Sequence, residues 1–254
     1  CDMKSLDHGR SIHIKIVEYG YEARVYVINI LVDMYGKNGL SATAWKVHNS
    51  HPIRNVVSWT ALLAGFVEHK RGEDALHCFE AMQHDSVSSN AVTLVCLLKA
   101  CGMTQARSSG QEIHAEVARK GLENDIVIGN TLVDMYARCG SLEDSSRVFH
   151  NLSEPDIISW GAMIAGYAEH GSFDEAWECM QAMERRGLVP NGIMFTSILS
   201  ACGRSGNIKT GHLYFRLMIE RYGIIPTFEH VNCMGDLFGH AGCLEDAMQL
   251  LQCM

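Results

Sequence analysis

The 254-residue chain has no Cys-x-x-Cys, no cysteine paired with histidine at zinc-finger spacing, few prolines and no excess of positive charge. Each absence removes a class of function. Its 10 cysteines, lacking that spacing, speak against a structural zinc site or a disulfide framework. Cys78 and Cys179, like Cys101 and Cys202, instead occupy equivalent places in a repeat, as small packing residues between helices do. Reduced thiols of this kind point to a reducing compartment. No run of about 18 apolar residues occurs, so no membrane helix is expected. With 4 prolines, 47% hydrophobic and 20% charged residues, the composition suits a continuous helical core and excludes disorder. A net charge of −8 argues against a generic polyanion binder, whose phosphate affinity comes largely from Lys and Arg.

What the chain does have is a repeat. Ser-Trp-x-Ala-x-x-Ala-Gly-x-x-Glu-His runs from Ser58 to His69 and again from Ser159 to His170, 101 residues later. The same offset carries Asn29-x-Leu-Val-Asp-Met-Tyr35 onto Asn130-x-Leu-Val-Asp-Met-Tyr136, and Ala100-Cys101-Gly102 onto Ala201-Cys202-Gly203. Self-similarity at fixed spacing marks a solenoid, in which each unit buries its apolar face against its neighbours.

Within that period the pattern is helix-turn-helix. In residues 56–90, Val57, Trp59, Leu62, Leu63 and Phe66 recur at three- and four-residue steps and predict one helix. Lys70-Arg71-Gly72 is expected to break it. Ala75, Leu76, Cys78, Phe79 and Met82 predict a second helix, with Glu73 and Asp74 in its first turn, where the helix dipole favours negative charge. Residues 157–191 follow suit, with Gly171 as the breaker. We read eight units: 1–24 (partial), 25–55, 56–90, 91–125, 126–156, 157–191, 192–227 and 228–254 (partial). No linker interrupts them, so one continuous all-α solenoid of antiparallel helical hairpins is expected. The sequence opens at Cys1 inside an incomplete unit, so more chain is expected upstream, where any targeting peptide would lie.

Asn55-Val-Val-Ser-Trp59, Asp156-Ile-Ile-Ser-Trp160, Gly129-Asn130 and Leu132-Val-Asp-Met-Tyr-Ala-Arg-Cys-Gly140 carry a family likeness. The chain resembles the pentatricopeptide repeat family over nearly its whole length, and within it the plant subclass whose ordinary, long and short units alternate. The resemblance implies a right-handed array in which each unit reads one base of single-stranded RNA. It implies further that the fifth and last residues of a unit form the reading pair. Asn29 with Asn55 then favours pyrimidines, usually C; Thr60 with Asn90 reads adenine; Asn130 with Asp156 reads uracil. Gly161 with Asn191 is a weak reader because Gly161 has no side chain. Of the long units, Val95 with Asp125 cannot hydrogen-bond through Val95, and Thr196 with Thr227 completes the set. Arg24 stands where an acidic residue is usual and leaves the first partial unit unreadable, and the partner of Asn232 would lie beyond Met254. The resemblance also implies that the second residue of a unit wedges between bases, which gives Tyr26, Val57, Val127 and Ile158. Tyr26 is aromatic and suited to stack, a contact of about 1–3 kcal/mol per base.

Plainer readings stand beside these. Asn29 and Asn130 fall near predicted helix starts, where Asn is a common cap, and spacing alone leaves capping and base contact both open. Thr60 also fits an ordinary surface position. Trp59 and Trp160 belong to the apolar stripe and are expected to pack.

Tyr222-Gly-Ile-Ile-Pro-Thr-Phe-Glu-His230, with Cys233 through Ala247, resembles the last units that in relatives precede an extension recruiting or carrying a zinc cytidine deaminase. That implies organellar C-to-U RNA editing, in mitochondrion or chloroplast, with editing cofactor proteins or a deaminase supplied in trans. His114-Ala-Glu116 matches half of the deaminase signature by letter, but no Cys-x-x-Cys follows. The chain is therefore expected to guide chemistry without performing it, and no metal or cofactor is expected. Two alternatives remain: RNA binding for splicing, stabilisation or processing, and a peptide-binding scaffold of the tetratricopeptide type, whose Trp-x-x-Leu-Gly-x-x-Tyr pattern is absent.

Charge placement yields a test. The first helices of the units carry Lys37, Lys99, Arg138 and Arg204 against Asp33, Glu68, Asp134, Glu169, Glu229 and Asp236. With so few cations available, the slope of log K against log salt for single-stranded RNA should be shallower than about −3. A steeper slope in a salt titration of binding would mean that other cations meet the phosphates.

Overall fold

The computed structural model describes residues 3–21 and 24–241, and its elements there are α-helices. They are α1 (Met3–Glu18), α2 (Val25–Lys37), α3 (Ser41–Ser50), α4 (Val56–Glu68), α5 (Gly72–His84), α6 (Ala91–Thr104) and α7 (Arg107–Arg119), then α8 (Ile126–Arg138), α9 (Leu142–Asn151), α10 (Ile157–Glu169), α11 (Phe173–Arg185), α12 (Gly192–Ser205), α13 (Ile208–Glu220) and α14 (Phe228–Ala241). The fold is all-α, of the solenoid class. The end of the segment likened to the family's last units, residues 242–247, lies outside the described residues. The chain forms two compact units, Cys1–Met135 and Tyr136–Met254, and the division falls inside α8.

In the first unit α2, α4 and α6 pack side by side as one layer, and α3, α5 and α7 fold back onto them. In the second, α10, α12 and α14 form the corresponding layer, with α11 and α13 folded back. The described hairpins close in the same way. An amide two or three residues beyond the helix reaches a carbonyl five residues earlier: Leu40 N–H to Tyr35 O (3.0 Å), Arg71 to Phe66 (2.9 Å) and Ala106 to Cys101 (3.0 Å) in the first unit, and Ser172 to Tyr167 (2.9 Å) and Asn207 to Cys202 (3.1 Å) in the second. This closure, of the Schellman type, puts the preceding residue in the left-handed region. Gly39, Gly171 and Gly206 take that position without strain, whereas Lys70 (φ +58°) and Gln105 (φ +54°) take it at about 1–2 kcal/mol each. The break expected over Lys70-Arg71-Gly72 is thus made by Lys70 and Arg71. Gly72 is already the first residue of α5, and a Cβ there would lie 3.0 Å from the Ala100 carbonyl oxygen of α6.

The repeated string becomes intelligible residue by residue. Ser58 and Ser159 complete reciprocal capping boxes at the starts of α4 and α10. Trp59 and Trp160 are buried, packed edge-on against His48 (4.2 Å between ring centres) and Phe149 (4.7 Å). A Cβ on Gly65 would come within 2.7 Å of Gly36 Cα, so α2 and α4 cross at backbone contact; a Cβ on Gly166 would come equally close to Ala137 Cβ. His69 and His170 donate from Nδ1 to the carbonyls of Gly65 (3.0 Å) and Gly166 (2.9 Å), tying down the helix C-termini. Cys78, Cys101 and Cys202 are buried in the core as expected; Cys179 is half-buried instead. Burial pushes the Cys202 thiol up to about 12 and that of Cys179 to about 11, so both stay protonated.

His48 and Phe149 occupy the same place 101 residues apart, and only the first can take a proton. His48 is fully buried, its Nε2 lacks a partner, and burial lowers its pKa below 6.5. The folded state holds the neutral ring while the unfolded chain protonates at the ordinary value. The stability linked to His48 is therefore complete above about pH 6.5 and is lost as pH falls through the folded value. His48→Phe, the residue the chain itself uses at the second site, should leave stability at pH 7.5 within about 1 kcal/mol. Urea denaturation at pH 7.5 and 5 should show a smaller acid loss in the variant than in the wild type; equal losses would refute the assignment.

Candidate nucleic-acid interface

Five of the residues that end a predicted unit are helix caps. Asn55 Oδ1 accepts the amides of Val57 and Ser58, both at 3.0 Å, and Asn90 Oδ1 accepts that of Thr93 at 2.9 Å. Asp125 Oδ1 accepts from Val127 (2.9 Å) and Ile128 (3.2 Å). In the second unit, Asp156 Oδ1 accepts from Ile158 and Ser159 at 2.9 Å, and Asn191 Oδ1 accepts from Met194 at 3.1 Å. Thr227 departs from the pattern: His230 Nδ1 accepts both its amide (3.0 Å) and its hydroxyl (2.8 Å). The exposed Arg24 makes no side-chain cap and sits over the Tyr21 ring, 5.2 Å from its centre.

Capping fixes which atom is left over. The oxygen must face the amides, so each capping Asn turns its Nδ2 away as a donor, and each capping Asp turns its second carboxylate oxygen away as an acceptor. Asn29 and Asn130 have no such duty. They lie inside α2 and α8, five residues in, so the capping reading of those two is corrected: α8 is capped by Asp125, one step before it, and α2 has no side-chain cap. Asn29 is half-buried, and its Oδ1 is buried without a partner. Such an oxygen costs about 1–3 kcal/mol unless something donates to it. Asn130 is buried to 7% exposure.

In the first unit several of the sequence-predicted residues share one recess. Tyr26, Asn29, Val57, Thr60 and Asn90 line an open groove of about 540 Å³, together with Ile30, Asp33, Lys37, Ala61, Ala64 and Val92. Asn55 caps α4 beside it and is not part of its lining. Thr60 Oγ1 lies 2.7 Å from Thr93 Oγ1. The second unit has a smaller recess of about 240 Å³ lined by Ile193, Thr196, Ser197, Ser200, Arg204, Glu169 and Glu229. Thr196 faces it but donates its hydroxyl to the Gly192 carbonyl at 3.1 Å. Gly161 is outside this recess, and a Cβ there would meet Met194 at an ordinary 3.5 Å. A further recess between α5 and α7 holds none of the predicted residues.

The second residues of the units stand out in solvent. Tyr26 is 74% exposed, Val57 53%, Val127 58% and Ile158 64%. Val92 and Ile193 hold the same register in units 91–125 and 192–227 and are equally open, and sequence reasoning missed both. Their signal was available, since each is the second residue of its helix. Exposed apolar side chains at a fixed register within each unit are what a stacking surface requires.

Charge within the first recess is balanced. Lys37 Nζ is 2.8 Å from Asp33 Oδ2, and its hydrogen bond to that carboxylate raises the lysine pKa. Arg204 donates to Ser200 at 2.9 Å. Glu116 of the His-Ala-Glu string is occupied by Arg119 (2.6 Å) at the end of α7 and by Lys120 (3.3 Å) just beyond it, and among the described residues no group of three His, Cys, Asp or Glu side chains could hold a metal ion. Among the same residues no helix is long and apolar enough to cross a membrane.

Two repeat patterns match this arrangement: that of the PPR repeat family over residues 54–103 and 155–204, and that of the PPR repeat over 130–154, 193–222 and 229–254. The chain belongs to the pentatricopeptide repeat family. Among curated relatives it is 36% identical over 256 residues to a chloroplastic pentatricopeptide repeat-containing protein, CRR2, of Arabidopsis thaliana, covering 100% of this chain and 39% of that protein. A mitochondrial pentatricopeptide repeat-containing protein of the same plant is 36% identical over 242 residues, 95% of this chain and 38% of the relative. Relatives with both organellar names support an organellar location. The chain spans between about a third and two fifths of these relatives' length. Among solved structures, the pentatricopeptide repeat protein PPR10 from maize superposes with a TM-score of 0.61 at 18% identity, over 89% of this chain and 38% of that one. The same protein in complex with an 18-nt psaJ RNA element gives 0.50 at 15% identity, over 99% of this chain and 48% of that one.

The cap and the free amide of Asn90 can be separated. Asn90→Ala removes both and should cost about 1 kcal/mol of stability. Asn90→Asp keeps the capping oxygen and should stay within about 0.5 kcal/mol of wild type. Chemical denaturation of the two variants checks this; equal losses would mean that Asn90 does not act as the cap.

Proposed function

We propose that the chain is a single-stranded RNA-binding module that reads bases one per helical hairpin, and that it serves as part of the specificity segment of an organellar C-to-U RNA editing factor. The observation that carries the RNA reading is the groove of the first unit, where Tyr26, Asn29, Thr60 and Asn90 converge with the apolar Val57 and Val92. The maize relative crystallised with an RNA element adds weight to it. The editing assignment rests on the likeness of residues 222–247 to units that precede a deaminase-recruiting extension, and the partners are then RNA together with editing cofactor proteins or a deaminase in trans.

The capping geometry supplies a mechanism for reading. A capping Asn offers a donor, which suits a ring nitrogen that accepts, as in adenine and cytosine; a capping Asp offers an acceptor, which suits the ring N–H of uracil and guanine. Asn55 and Asn90 on the one hand and Asp156 on the other fall into these classes. The fifth residue then sorts within each class by reach: Asn29 and Asn130 extend further than Thr60 and suit the smaller pyrimidines. Asn191 with Gly161 retains the donor alone, and Thr196 with Thr227 spends both hydroxyls inside the protein. The second residues Tyr26, Val57, Val127 and Ile158 separate the bases by stacking and wedging.

Exchanging Asn130 for Thr and Asp156 for Asn together should shift that unit from uracil to adenine, because the acceptor becomes a donor and the reach shortens. Gel-shift titrations against RNAs reading pyrimidine, A, any base, then each of the four bases measure the shift. An unchanged preference would sink the pairwise reading, and binding a peptide ligand but no RNA would sink the RNA reading itself.

A further inference from the structure

Thr93 lies outside the reading pairs, yet its hydroxyl joins two members of one. It is fully buried at the third position of α6, and Thr93 Oγ1 has three neighbours: Asn90 Oδ1 at 2.9 Å, the Asn90 amide at 3.3 Å and Thr60 Oγ1 at 2.7 Å. A hydroxyl has one proton to give and two lone pairs to fill. The amide can only donate. Asn90 Oδ1 can only accept, and its identity as oxygen is fixed because it also takes the Thr93 amide. The proton of Thr93 therefore goes to Asn90 Oδ1, one lone pair takes the Asn90 amide, and the other takes a proton from Thr60. The direction of every bond in the relay is determined: Thr60 donates to Thr93, which donates to Asn90.

We propose that Thr93 is a positioning residue for base selection, holding Thr60 as an acceptor and Asn90 as a donor toward the groove. The inference rests on the RNA-reading proposal above and deepens it. With Asn90 Nδ2 donating to a ring nitrogen, Thr60 faces the exocyclic group beside it. An exocyclic amine, as in adenine, donates to Thr60; a carbonyl oxygen, as in guanine, meets a second acceptor and is repelled. Without the relay Thr60 could turn its proton outward and accommodate either. The equivalent residues do not all do this. Ser58 Oγ donates to the Asn55 backbone carbonyl at 3.0 Å, and Ile128 and Met194 have no hydroxyl.

The test uses the 254-residue chain and RNAs with A or G at the position read by Thr60 and Asn90. Thr93→Val keeps the β-branched shape and removes the relay, and the ratio of A to G affinities should fall about five- to tenfold. Thr93→Ser keeps the hydroxyl and should restore the wild-type ratio. A merely structural role would weaken both RNAs equally, so an unchanged ratio in Thr93→Val, at whatever overall affinity, overturns the proposal. Loss of the ratio in Thr93→Ser with its fold intact by circular dichroism would overturn it too. If wild type itself shows no preference at that position, the paired reading of Thr60 and Asn90 fails first, and Thr93 has no selection to position.

Discussion

The side-chain oxygen that caps five of the first helices is the contact on which the fold and the proposed site both depend. Asn55, Asn90, Asp125, Asp156 and Asn191 each end one hairpin and accept the first amides of the next helix. A helix start left without such an acceptor loses about 1 kcal/mol. The same bond immobilises the side chain in one rotation and leaves its second polar atom outside the cap. On the RNA-reading proposal, stability and the orientation needed for recognition thus come from one hydrogen bond. This arrangement explains why an amide or a carboxylate is used here: a serine or threonine would cap as well but would have no second terminal atom to present.

The interior follows a different economy. The two copies of the long motif bury their tryptophans, close their hairpins and cap their helix ends by the same contacts, yet each copy adjusts the details to its neighbours. Gly36 faces Gly65 where Ala137 faces Gly166, and His48 packs on Trp59 where Phe149 packs on Trp160. The extra methyl of Ala137 meets a Cβ-less residue, so the helices still approach closely. At His48 the substitution places a titratable ring against a buried indole, where Phe149 places a ring that cannot take a proton. A repeat protein tolerates such differences because each hairpin contacts only its neighbours.

On the RNA-reading proposal, affinity in so acidic a chain comes mainly from contacts other than phosphate neutralisation. The exposed second-position residues supply apolar and aromatic surface, and the caps supply directional polar atoms. Lys37 is balanced by Asp33. Such a site gains from base identity more than from backbone charge, which favours discrimination over general adhesion.

Much of this was legible in the linear sequence. The 101-residue period, the helical hairpins and the burial of Trp59 and Trp160 follow from the spacing of apolar residues, and spacing is a one-dimensional property. The family likeness picked out Tyr26, Asn29, Val57, Thr60 and Asn90 of the first-unit groove but not Val92. Other features depended on three-dimensional proximity. Neither the spacing nor the likeness assigned the caps to Asn55 and Asn90 in place of Asn29, located the left-handed turn residue at Lys70 instead of Gly72, or joined Thr60 to Asn90 through Thr93. The sequence by itself determined the repeat and the residue types in the groove, because apolar periodicity and residue chemistry are written along the chain. The tertiary structure decided which polar atoms are spent and which remain to meet a ligand, because a hydrogen bond forms only where folding brings donor and acceptor within about 3 Å.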